Sequence, residues 1–173
     1  MLLAIAACHS GGNPGGGGKA FPFVPGNQQI LHTVGGTVTG LAGSGLVLQN
    51  NAGDNLPVSA NGGFSFGITL NSGETYDVTV LTPPTSPLQA CTVSNGSGTV
   101  ADGDVTNVEI ACVILGDING DGVVNHVDML LAQRITLGMI AATSEQVSRG
   151  DIYPDGKIDA SDYLLIQKMG LGL

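Results

Sequence analysis

Six residues in a span of twelve set the first chemical question. Asp117, Asn119, Asp121, Asn125 and Asp128 place side-chain oxygens at positions 1, 3, 5, 9 and 12 of a loop, and Val123 at position 7 can offer its carbonyl. Gly122 stands at position 6, where such a loop must turn sharply. Hard oxygen donors at these intervals on a flexible loop suit Ca2+, and Mg2+, with its stricter octahedral demand, fits them less well. A solvated acidic turn is the plainer alternative for the same residues.

The pattern returns 34 residues later, and 11 of 23 aligned positions are identical between Gly116–Gly138 and Gly150–Gly172. Such self-similarity marks a duplicated structural unit. The second copy carries Asp151, Asp155, Asp159 and Asp162 at positions 1, 5, 9 and 12, with the Lys157 carbonyl at position 7. Position 3 is Tyr153, followed by Pro154, so one side-chain oxygen is missing and this site is expected to be the weaker of two calcium sites. After each loop a helix should follow, with Asp128 or Asp162 at its electropositive start. The sequences leading into the loops, Val-Ile-Leu-Gly and Ser-Arg-Gly, give no sign of a preceding helix. The Leu130-Leu131 and Leu164-Leu165 pairs are expected to face the core.

This is the ligand order of an EF-hand, with Asp in place of the usual Glu at position 12. Half an EF-hand twice over, with Val124 or Ile158 at position 8, the Leu-Leu pair and Arg134 or Lys168 at position 18, resembles a type I dockerin. The resemblance covers residues 114–173 and implies a cohesin-like partner, contacted at loop positions 10 and 11 and on the following helix. Those positions are His126 and Val127 with Gln133 and Arg134 in copy one, and Ala160 and Ser161 with Gln167 and Lys168 in copy two. The loop pairs differ between copies while the helix pairs match, which argues against two equivalent binding modes. His126 reads as a surface contact, since position 10 points out of such a loop.

The rest of the chain must position this module. It has 173 residues, with 14 acidic and 5 basic side chains and a formal charge of -9. Five Lys and Arg cannot form the basic stripe of a nucleic-acid binder. No run reaches the roughly 18–20 apolar residues of a membrane-spanning helix. Three His and three Glu are thin material for general acid–base catalysis, and residues 30–113 show no paired Asp/Glu site of the glycosidase kind.

Residues 30–113 read as an antiparallel β-sandwich of six or seven short strands. Period-two or short apolar runs lie at 37–39, 45–49, 63–68, 76–80, 91–94 and 105–112, and 50–55, 60–63 and 71–73 read as turns. The series Gly36-x-Val38-x-Gly40, Gly45-x-Val47-Leu48, Gly62-x-Phe64-x-Phe66 and Gly73-x-x-Tyr76-x-Val78-x-Val80 resembles immunoglobulin-like and carboxypeptidase-regulatory-like modules of bacterial surface proteins. Cys91 and Cys112 fall on the last two strands. In an exported protein they read as a disulfide, and two buried free thiols remain the alternative.

The first eight residues end in Ile5-Ala6-Ala7-Cys8, similar to a truncated bacterial lipoprotein signal with Cys8 as the lipidated residue. A Gly-rich linker spans residues 9–29. The basic n-region of a full signal is missing. A floppy start with a buried thiol is the plainer alternative. Taken together, the sequence suggests a mainly β protein with a small α module, exported and held at the cell surface or in the outer membrane, or extracellular. Three roles fit it: a calcium-dependent adaptor, for which polysaccharide-degrading machinery is one setting; a structural protein that self-associates in a matrix or filament; and an enzyme or accessory part of a glycoside hydrolase.

Overall fold

The computed structural model describes residues 30–173, so Cys8 and the 9–29 segment lie outside the described residues. Ten strands precede three helices. One four-stranded sheet runs in the order β5 (Gly62–Ser65), β2 (Val34–Thr39), β10 (Val105–Ile114), β8 (Gln89–Ser94). A second has the order β4 (Asp54–Val58), β3 (Leu46–Asn50), β7 (Thr75–Thr82), β9 (Ser97–Thr99). A short pair, β1 (Leu31–His32) with β6 (Leu70–Asn71), stands beside them.

Alternation builds the core. Val34 and Val38 from β2 and Val108, Ile110 and Cys112 from β10 meet Leu46 and Leu48 from β3 and Tyr76 and Val78 from β7. Each of these is at most 8% exposed, the pattern of two sheets packed face to face. Buried polar groups in this core find partners. Gln89, 1% exposed, accepts from the Ala42 and Gly43 amides and donates to the Gly40 carbonyl, pinning the turn after β2 to β8.

Several details differ from the sequence reading. Residues 54–58 form a strand, although Asp54 and Asn55 read as turn. Leu31–His32, Leu70–Asn71 and Ser97–Thr99 also pair in sheets. The run 63–68 leaves its sheet after Ser65, and Ile68 is 56% exposed. Most pairs are antiparallel as expected, but β10 and β2 run parallel, in register from Val108 opposite Gly36 to Ala111 opposite Thr39. Gly36 is required there, because a Cβ would run into the Val108 carbonyl.

Cys91 and Cys112 face each other across β8 and β10 and are joined as a disulfide. β10 then passes directly into the C-terminal module: Leu115 donates to the Leu88 carbonyl at 3.0 Å, and Asp117 already belongs to the first loop. The helices α1 (His126–Thr136), α2 (Ser144–Gly150) and α3 (Ala160–Gly170) enclose a small separate core of Ile118, Ala132, Ile158 and Ile166. None of the described helices is long and apolar enough to cross a membrane.

Candidate calcium centre

Each loop is wound around its first and last carboxylates. Asp117, 1% exposed, accepts from the amides of Gly120 at 2.8 Å, Asp121 at 3.1 Å and Gly122 at 3.0 Å. Asp128, 0% exposed, accepts from Asn119 at 3.1 Å with one oxygen and from Asn125 at 3.0 Å with the other. The Asn125 contact closes a capping box, since the Asn125 side chain caps α1 while Asp128 reaches back to the Asn125 amide. The final residue of the loop is therefore also the third residue of the helix. Loop and helix form as one unit.

The second copy repeats this. Asp151 accepts from Asp155 at 3.1 Å and Gly156 at 2.8 Å, and Asp162 accepts from Ile152 and Tyr153, each at 2.9 Å, and from Asp159 at 3.0 Å. Asp159 caps α3 in the same capping-box arrangement. In each copy three carboxylates converge, Asp117 with Asp121 and Asp128, and Asp151 with Asp155 and Asp162, with oxygens within 4.8 Å of one another. Like charges brought this close repel unless a cation lies among them. The donor set, all oxygen and rich in carboxylate, fits a hard divalent ion.

Electrostatics separates the two loops. In loop one, the Asn119 side chain and the Val123 amide hold Asp121 below the ordinary carboxylate range. In loop two, the Ser161 amide and hydroxyl and then Lys157 lower Asp159 to about 2. The Lys157 ammonium lies 3.1 Å from Asp159 and 3.4 Å from Asp155, and these contacts raise its own pKa. The sequence reading used Lys157 only for its carbonyl; its side chain bridges two acids of the same loop. Tyr153 is 56% exposed and brings a backbone amide, not a side-chain oxygen, to Asp162.

Two expectations are corrected. A helix does precede loop two: α2, opened by a capping box between Thr143 and Gln146 that was visible as Thr-x-x-Gln. Leu130 and Leu164 do not face the core. They are 47% and 56% exposed, while Leu131 packs against the helical core and Leu165 is half-buried. Adjacent helical residues lie about 100° apart, so a Leu-Leu pair cannot bury both members in a small core. Ala132 and Ile166 occupy the buried face instead. Of the residues assigned to partner contact, His126, Val127, Gln133, Arg134, Ala160, Ser161 and Lys168 are exposed and Gln167 is half-buried.

One residue went unnoticed in the sequence. Arg149, in α2, places Nη1 at 3.5 Å from Asp117 Oδ2, and its carbonyl accepts from the Gly116 amide at 2.7 Å. Elsewhere, in the β module, His32 Nε2 lies 3.2 Å from the Ser72 hydroxyl. The Ser72 hydroxyl donates to the Ala101 carbonyl, and Asp104 lies 4.0 Å from the His32 ring while accepting from the Thr33 amide at 2.7 Å.

No curated protein matches the chain. Residues 115–169, behind the β-rich region, match the family model of the dockerin type I domain.

Proposed function

We propose that residues 114–173 form a calcium-dependent docking module that attaches the protein to a cohesin-like partner. The observation that carries this reading is the duplicated loop–helix unit with three converging carboxylates in each copy, within the segment that matches the dockerin model. Asp117, Asn119, Asp121, Asn125 and Asp128, with the Val123 carbonyl, would hold one calcium ion. Asp151, Asp155, Asp159 and Asp162, with the Lys157 carbonyl, would hold a second, more weakly. Bound calcium would neutralise the converging charge and fix each loop, and through the shared capping box each helix.

The binding face would lie on α1 and α3, where Leu130 and Leu164 stand exposed beside Arg134 and Lys168. The protein would act outside the cell or at its surface, held there by lipid at Cys8, with the 30–113 β-sandwich as an immunoglobulin-like spacer. Polysaccharide-degrading machinery is the setting we favour for it, as an adaptor and not as the catalyst. Calcium titration calorimetry of the full chain, followed by binding to a panel of purified cohesins with and without chelator, tests this. Two calcium events and chelator-sensitive cohesin binding are the expected results. Calcium-independent binding, or none to any cohesin, would overturn the docking assignment. Calcium-driven growth in light scattering without added cohesin would instead place the protein in a self-associating matrix.

A further inference from the structure

We propose that the β module is a load-bearing link, whose entry and exit strands form a parallel pair that resists tension along the chain in shear. The chain enters this module at Ile30 and leaves it at Ile114. The last strand, β10, lies against β2, the first strand of the two large sheets, and the two run parallel. In a parallel pair, the incoming end of one strand and the outgoing end of the other lie at opposite ends of the ladder. Tension between the two sides of the module therefore pulls Val34 one way and Ala111 the other, along the strand axes. All the ladder hydrogen bonds are strained together. An antiparallel hairpin loaded at its open end is peeled one bond at a time, at a lower force.

Both ends of this pair are reinforced. On the incoming side, Leu31 and His32 pair with Asn71 and Leu70, and the Thr33 amide donates to Asp104 at 2.7 Å. The Val105 amide donates to the Thr33 carbonyl at 2.9 Å. On the outgoing side, Cys112 follows Ala111 directly and is bonded to Cys91. β10 cannot slide past β2 without dragging β8, and Gln89 of β8 is itself bound to the turn that follows β2. Only Leu115 and Gly116 separate β10 from the first calcium loop, and both amides are hydrogen-bonded, to Leu88 and Arg149. A pull on the helical module reaches β10 without a slack linker between them. This role stands whether or not the module's partner is a cohesin.

Single-molecule force spectroscopy on the full chain tests it. Handles at the two termini load β2 against β10 and need no substitution in the module. Handles at Ala42→Cys and Ser59→Cys, in a Cys8→Ser background, flank the paired ends Leu46 and Val58 and peel the β3–β4 hairpin. At equal loading rate, terminal pulling should rupture the module at a force at least twofold higher. Reduction of the disulfide, which bypasses a sequence separation of 21 residues, should lengthen the terminal extension by about 70 Å at roughly 3.4 Å per residue. Terminal rupture at or below the hairpin force would overturn the shear assignment. An extension unchanged by reduction would overturn the role of the disulfide.

Discussion

The guanidinium of Arg149 lies 3.5 Å from Oδ2 of Asp117, and the side chain of Asp117 is only 2% exposed. Asp117 opens the first loop, whereas Arg149 stands two residues before Asp151, which opens the second. The Arg149 carbonyl also accepts from the Gly116 amide, and Gly120 lies beneath the guanidinium, where a Cβ would come within 2.9 Å of Nη1. One residue thus ties the start of one loop to the start of the other.

That tie should couple the calcium sites. Ordering loop one fixes Gly116 and Asp117, which holds Arg149 and the end of α2, and so places Asp151. A loop-two knockout, Asp155→Ala, should therefore weaken calcium binding at loop one by about fivefold, a typical intersite coupling. In an Arg149→Ala background the same knockout should leave loop one unaffected. Calorimetry of the four proteins completes the cycle, and equal effects of Asp155→Ala with and without Arg149 would exclude the coupling. If no calcium binds at all, the docking assignment itself has failed.

Asp121 and Asp128 are both candidate ligands, but the structure separates their roles. Asp128 is buried and completes the capping box of α1, whereas Asp121 is exposed and bonds only within its loop. Asp128→Ala should lower the melting temperature even in excess chelator, by the loss of a cap worth about 1 kcal/mol together with two unpaired amides. Asp121→Ala should leave the chelated protein unchanged and reduce only the stabilisation that calcium adds. At a thousandfold excess of calcium over Kd, that stabilisation is about 4 kcal/mol for each filled site. Thermal melts with and without chelator decide the point. Identical behaviour of the two variants would show that position 12 is no more structural than position 5.

What could be read from residues alone follows the range of the forces involved. Ligand spacing and duplication are local and periodic, so both loops were legible, as were strands such as β3 and β7 with alternating apolar residues. β4 was hidden because it begins Asp-Asn and carries Pro57, which is tolerated because β4 is an edge strand. β9, Ser-Gly-Thr, has no apolar residue to announce it. The parallel β2–β10 pair joins residues about seventy positions apart, and no local pattern encodes that choice. Arg149 belongs to the same class: its contact with Asp117 arises only when two repeats fold against each other. α2 is different: Thr143 and Gln146 signal its start locally, but its seven residues end in Ser-Arg-Gly, which reads as the lead-in to a loop.

The cap of α3 should show an unusual acid titration. Asp159 accepts from the Ser161 amide and hydroxyl at 2.8 Å each and faces Lys157, which lowers its pKa from 3.8 to about 2. A carboxylate whose folded pKa is depressed contributes stability above its unfolded value and loses it as pH falls through the folded value. The contribution of Asp159 is therefore complete above about pH 4 and disappears on the way down to about pH 2. In calcium-free protein the Ser161 amide shift, followed by NMR, should titrate near the lower value. A midpoint at 3.8 or above would show that the cap does not hold Asp159 in its charged form.

The exposed face of α1 should carry the contact with the partner. Val127, Leu130, Arg134 and Leu137 recur at helical spacing on and just beyond α1, and all four are exposed. Apolar side chains at such positions contribute little to folding, so Leu130→Ala should alter stability by no more than about 0.5 kcal/mol. Its cost should instead appear on association, where truncating an anchor residue removes about 1–3 kcal/mol. Arg134→Ala should fall in the same range, because a guanidinium can fork onto a carboxylate, while Lys168→Ala should cost less, because an ammonium offers a point charge. Copy one should dominate for a second reason. Its loop has an oxygen at every ligand position, so α1 is held more firmly than α3 and less ordering remains to be done on binding. Calorimetry of Leu130→Ala, Arg134→Ala and Lys168→Ala against the partner, with calcium affinity measured alongside, separates the contributions. Undiminished binding by the Leu130→Ala and Arg134→Ala double variant would move the interface off α1, and weakened calcium binding in either single variant would show that the residue supports the loop and not the partner.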